Sequence, residues 1–214
     1  MRKNGYLPIR DYALIGDCHD CALVGADGAI DWCAFSRFDA DPVFCRLLDA
    51  EPGGYWSINP SGSAEARRAY IDGTNILHTD FAAESGRMRV TDFMPVGRRA
   101  GAGTHDYVDL VAPHWLVRRV EILDGEVAFE TRYRASRDFA HRPVWLTRGA
   151  ACLRGEAVPV LFGDADWAVE DDHAVAIARG TKGQCFDFVL AARQIAGDQP
   201  LARVGDYLCV TEAF

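Results

Sequence analysis

The 214-residue sequence predicts a mainly β chain, an antiparallel sandwich or barrel, on three observations. Short runs rich in β-branched and aromatic residues recur along its length, broken by turn residues. Two Asp-Gly pairs, Asp27-Gly28 and Asp124-Gly125, lie between apolar runs, a strong hairpin signal because both turn residues tolerate positive φ. Only one segment in the first half carries helical signals, and the many short strands at this spacing argue for antiparallel pairing.

Taken in order, the predicted strands are Ala22–Val24, Ala29–Phe35, Gly54–Ile58, Ile76–Phe81 and Met88–Phe93. Tyr107–Val111, Trp115–Ile122, Glu126–Tyr133, Ala174–Ala178 and Cys185–Ala192 follow. Asp27-Gly28 and Asp124-Gly125 each close a predicted hairpin, and Ser85-Gly86 turns another. A helix is expected from Asp41, where the aspartate caps, Pro42 takes the first helical position, and Val43, Phe44, Leu47 and Leu48 form the apolar face. Pro52-Gly53-Gly54 ends it. The closing "GDYLCVTEAF" stops on an apolar residue, as a chain cut just before something else would.

At 49% hydrophobic residues the chain can build a sizeable core. Its formal net charge of -8 leaves no basic footprint, so no nucleic-acid partner is expected. No apolar run reaches membrane-span length and the N-terminus has no signal pattern, so no membrane partner is expected and the chain reads as cytoplasmic. Seven cysteines, an odd number scattered from Cys18 to Cys209, read as reduced thiols serving as small apolar residues.

The C-x-x-C of Cys18-His19-Asp20-Cys21 is the one motif with metal or redox spacing. A structural zinc site needs a second ligand pair, and none follows at suitable spacing. A redox pair needs a strand–motif–helix context, whereas a strand and an Asp-Gly turn follow here. No metal and no cofactor are therefore expected. No G-x-S-x-G or phosphate-binding glycine loop is present. The segment Asp31 to Asp39 is richer, because Asp31, Trp32, Phe35, Arg37, Phe38 and Asp39 fall within nine residues. Aromatic faces stack on sugar rings while carboxylates and guanidinium groups hydrogen-bond the hydroxyls. The alternative is that the aromatics are core and Arg37–Asp39 is an ion pair.

The stretch "YALIGDCHDCALVGADGAIDWCAFSRFDADPVFCRLLD" resembles the N-terminal region of bacterial and archaeal glycoside hydrolase family 15 proteins, the glucoamylase-like and trehalase-like enzymes. "GGYWSI" (53–58), "GTNILHTDF" (73–81), "VTDFMP" (90–95) and "LVRRVE" (116–121) continue the likeness in order. The resemblance implies an antiparallel β super-sandwich with one or two short helices over residues 1–205. Residues 206–214 would start a linker toward an (α/α)6 catalytic barrel of the same polypeptide.

The resemblance implies no catalytic residue in this chain. The acid and base of an inverting α-glucosidase would lie in the barrel, roughly 6.5–9.5 Å apart. The expected substrate of the full-length protein is an α-glucoside or trehalose. Asp31, Trp32, Arg37, Phe38 and Asp39 become substrate-pocket or domain-interface candidates. An isolated domain of this kind is expected to expose an apolar patch and to self-associate through it. A free-standing sandwich that binds carbohydrate or a protein partner is the second reading. Two departures stand out: Ala40-Asp41-Pro42 puts the proline one place later than the family pattern, and Asp138-Phe139-Ala140-His141 replaces a D-Y-G-R motif.

Overall fold

The computed structural model describes residues 2–99, 101–103, 105, 110–192 and 199–214. A 3-10 turn at Ile9–Asp11 leads into β1 (Tyr12–Gly16), β2 (Cys21–Gly25) and β3 (Ile30–Ala34), an antiparallel meander. Asp27-Gly28 turns its second hairpin as the sequence predicts, with Gly28 at φ +74. Next come β4 (Phe44–Cys45), β5 (Tyr55–Pro60), β6 (Ala64–Tyr70), β7 (Leu77–Ala83) and β8 (Gly86–Phe93). Ser85-Gly86 joins β7 to β8 as predicted.

β9 (Gly97–Arg98) pairs β10 (Leu110–Val111). The rest of the predicted Tyr107–Val111 strand, residues 107–109, lies outside the described residues. Then follow β11 (Trp115–Arg134), β12 (Ser136–Arg137), β13 (Arg142–Pro143), β14 (Leu146–Arg148), β15 (Cys152–Gly155) and β16 (Val160–Gly163). β17 (Ala168–Glu170), β18 (His173–Thr181) and β19 (Cys185–Ala191) complete the strands, and α1 (Val204–Glu212) is the one α-helix among the described residues.

Fifteen of these strands are joined by hydrogen bonds, and every pairing is antiparallel. The 20-residue β11 connects two layers. Its first half pairs β8 and β19, and its second half pairs β5 and β18. Apolar side chains of both layers meet between them: Trp56, Ile58, Phe129 and Tyr133 from one, Val90, Val120, Leu161 and Phe188 from the other. This is an antiparallel β sandwich. A second apolar cluster lies beneath α1, where Val204, Tyr207 and Leu208 cover Phe93, Trp115 and Val189.

Two elements differ from the expectation. Asp124-Gly125 makes no hairpin, and β11 runs straight through it with a register shift between Ile122 and Asp124. Each half of β11 finds its partners elsewhere, and β18 passes to β19, which it does not pair, through a turn at 181–184 with Gly183 at positive φ. Gly125 keeps positive φ (+69), but as a bulge residue pressed against Ser85, where an added Cβ would meet the Ser85 carbonyl at 2.3 Å.

The helix expected from Asp41 is also absent. Val43, Phe44 and Cys45 are all buried, which an extended segment against β3 achieves and one face of a helix does not. The Val43 N–H donates to the Cys33 carbonyl, and the Leu48 N–H to the Cys45 carbonyl in a turn. The Asp41 carboxylate accepts the N–H groups of Asp138 and Phe139 instead of capping a helix. It thereby steadies three consecutive left-handed residues, Asp138, Phe139 and Ala140.

Candidate functional site

A cavity of about 800 Å³ opens between the β1–β2 turn, the turn at 73–75, β9 and the C-terminal end of α1. Leu14, Ile15, Phe38, Val96 and Phe214 supply apolar wall, and His19, Asp20, Asn75 and Arg98 the polar wall. Apolar residues surround polar groups here as in small-molecule clefts and domain junctions. α1 shapes the far wall. Thr211 Oγ1 accepts the Val96 N–H and donates to the Tyr207 carbonyl, while Arg98 donates to the Phe214 carbonyl and lies 4.4 Å from its ring centre. Leu14 is 54%, Phe38 73% and Val210 47% exposed around this face.

Behind the β1–β2 turn lies a buried polar cluster. The Asp17 side chain folds back over its own turn, and Oδ1 accepts the N–H groups of His19 and Asp20. Asp20 Oδ1 accepts the Ser36 N–H, and Asp20 Oδ2 lies 2.8 Å from His114 Nδ1. Asp20 therefore ties the β1–β2 turn to the turn that carries Arg37, Phe38 and Asp39. Burial pushes the Asp17 carboxyl above the usual carboxylate range, and the neighbouring Asp20 charge adds to it. The His19 ring meets His114 edge-on, with centroids 6.0 Å apart. All seven cysteines are free thiols, with Cys18 exposed and Cys21 half-buried.

Of the residues predicted for a pocket or interface, Phe38 alone lines this cavity. Arg37 and Asp39 stand beside it on an exposed turn, locked to each other in a bidentate pair at 2.8 and 2.5 Å. The Arg37 hydrogen bond holds the Asp39 carboxyl below its ordinary range. Trp32 lies on β3 between Leu23 and Cys45.

Asp31 is buried within an ionic cluster. It accepts from the Arg2 guanidinium at 2.7 Å, from Arg46 Nε at 2.8 Å and from the Tyr12 hydroxyl at 2.6 Å. Burial, and after it the bond to Asp31, push the Tyr12 phenol up to about 12. Arg46 also stacks 3.9 Å from the Tyr55 ring centre. These partners make Asp31 a brace between the N-terminal segment, β1 and the turn after β4.

Sequence reasoning missed Asp17, Asp20 and His114. The spacing within "GDCHDC" drew notice to its cysteines, and His114 is 94 residues away from Asp20. It also missed the buried Arg118, held by Asp92 at 2.7 Å and by the carbonyls of Trp56 and Gly28 at 2.8 and 2.6 Å.

The family described as trehalase-like, N-terminal, matches residues 3–199. The chain is 30% identical over 165 residues to a trehalase of Mycolicibacterium smegmatis, covering 73% of this chain and 24% of that protein. It is 37% identical over 95 residues to a trehalase of Thermoplasma volcanium, covering 42% and 15%. A third relative is trehalase 2 of Sulfolobus acidocaldarius, 33% identical over 86 residues, covering 40% and 14%. The chain spans about a quarter or less of the length of these curated relatives.

Proposed function

The chain belongs to the trehalase-like N-terminal domain family, and from that premise we propose that it is the non-catalytic β domain of an inverting α-glucoside hydrolase, with trehalose as its substrate. One observation carries the reading: nearly the whole chain matches the family, yet it spans at most about a quarter of each trehalase relative. The chemistry then belongs to the remainder of such a protein, an (α/α)6 barrel. The sandwich supports that barrel and borders its sugar pocket.

The face around Phe38 suits the contact. Leu14, Phe38 and Val210 expose apolar surface there, around a cavity with polar groups in its wall. Arg37 and Asp39 project from the same turn and are already oriented by their mutual pair. A guanidinium fork and a carboxylate held together can hydrogen-bond adjacent sugar hydroxyls or bracket a loop of the barrel. The proposed location is the cytoplasm, which suits seven reduced cysteines.

The test is trehalose hydrolysis by a protein in which the chain precedes its barrel, compared with its Arg37→Ala, Asp39→Ala and Phe38→Ala variants. Raised KM or lowered kcat in these, with thermal stability unchanged, supports a bordering role. Kinetics identical to the parent in all three would remove it.

A further inference from the structure

We propose that Asp17, Asp20 and His114 form a site for one divalent metal cation, set in the wall of the cavity beneath the Phe38 turn. Each residue offers one ligand atom, and these atoms all lie within 4.8 Å of one another. Asp20 Oδ2 and His114 Nδ1 are 2.8 Å apart, close to the roughly 3 Å that separates neighbouring donors bonded to one cation at about 2.1 Å.

The second observation is Asp17 itself. It is buried, and its Oδ2 has no hydrogen-bond partner. A carboxylate oxygen removed from water and left unpaired is costly unless a cation or a proton meets it. The other buried aspartates show what this protein does with such a group. Asp31 is met by Arg2 and Arg46, and Asp92 by Arg118. Among the described residues, Asp17 and Asp20 are held by backbone N–H groups and His114. Two buried carboxylates thus share one imidazole, and a divalent cation balances the remaining charge.

Two carboxylates and one imidazole form a hard-to-borderline set that suits Mn²⁺ or Zn²⁺ and leaves coordination positions for water. Asp20 lines the cavity, so those positions face it. Because Asp20 also holds the Ser36 N–H, the bound cation would stiffen the turn that carries Arg37, Phe38 and Asp39. The cluster stands on this chain's own residues and does not depend on the hydrolase reading.

The probe is Mn²⁺ alone, because Zn²⁺ would also bind the thiols of Cys18 and Cys21. Chelator-treated 214-residue protein is titrated with MnCl₂ by calorimetry. One saturable site per chain is expected, weakened at least tenfold in Asp17→Asn and in His114→Ala and unchanged in Cys18→Ser. Electron spin-echo spectra of the wild-type complex give an independent readout that needs no variant: nitrogen modulation from a bound imidazole is expected. Absence of saturable binding, absence of that modulation, or unchanged affinity in folded Asp17→Asn and His114→Ala would overturn the site.

Discussion

Arg118 offers the sharpest stability test. Its guanidinium is buried, donates twice to Asp92 and once each to the carbonyls of Trp56 and Gly28, and lies 5.1 Å from the Trp56 ring centre. Arg118→Met keeps most of the stem but removes every donor. Asp92 is then a buried charge without a counter-ion, a situation that costs about 3–5 kcal/mol. For a domain of this size each kcal/mol lowers Tm by about 2–4 °C, so a fall of roughly 6–20 °C is expected. The double variant Arg118→Met with Asp92→Leu removes both charges, and it should recover much of the loss. Thermal unfolding followed by circular dichroism reads both. Arg89→Ala is the reference, since Arg89 and Asp80 are both partly exposed and their pair is worth at most about 1 kcal/mol. An Arg118→Met variant no less stable than Arg89→Ala would refute the reasoning.

Ala140 at φ +72 strains an L residue, so Ala140→Gly should raise stability by about 0.5–1 kcal/mol, read as a Tm increase; a decrease would show that the turn is not strained there. Gly125→Ala should cost at least 2 kcal/mol by denaturant titration, because its Cβ would meet the Ser85 carbonyl at 2.3 Å in a left-handed backbone; a smaller effect would mean the bulge yields easily. Tyr12→Phe should cost about 1–2 kcal/mol at neutral pH by losing the bond to Asp31. Since the folded phenol titrates above its unfolded value of about 10, that difference should hold below pH 10 and close as pH rises toward about 12. A gap that stays constant to pH 12 would contradict it.

The strands were legible because each apolar run had to be buried against a partner layer, whichever layer that was. Pairing was less so. Asp27-Gly28 and Asp124-Gly125 read alike in one dimension, but the first joins strands of one layer while the second is a bulge in a strand that serves two. The Asp41–Leu48 segment carried honest helix signals, and the demand to bury Val43, Phe44 and Cys45 together overrode them. Asp41 still acts as a cap, for a turn 97 residues away. At the candidate site Phe38 drew notice together with its polar neighbours Arg37 and Asp39, and it is the one of the three that lines the cavity. The ionic cluster around Asp31 was not legible, because its partner Arg2 lies 29 residues upstream. No spacing rule connects Asp17 and Asp20 to His114, since only the folded sheet brings β11's approach segment behind the β1–β2 turn.

The proposal that this chain supports a catalytic barrel and supplies no hydrolytic group has one direct test. Release of glucose from trehalose decides it, measured for the isolated 214-residue chain and for the same chain followed by its (α/α)6 barrel. No release above buffer is expected from the isolated chain, and steady turnover from the longer protein. Turnover by the isolated chain, abolished by substitution of any of its own carboxylates, would contradict it.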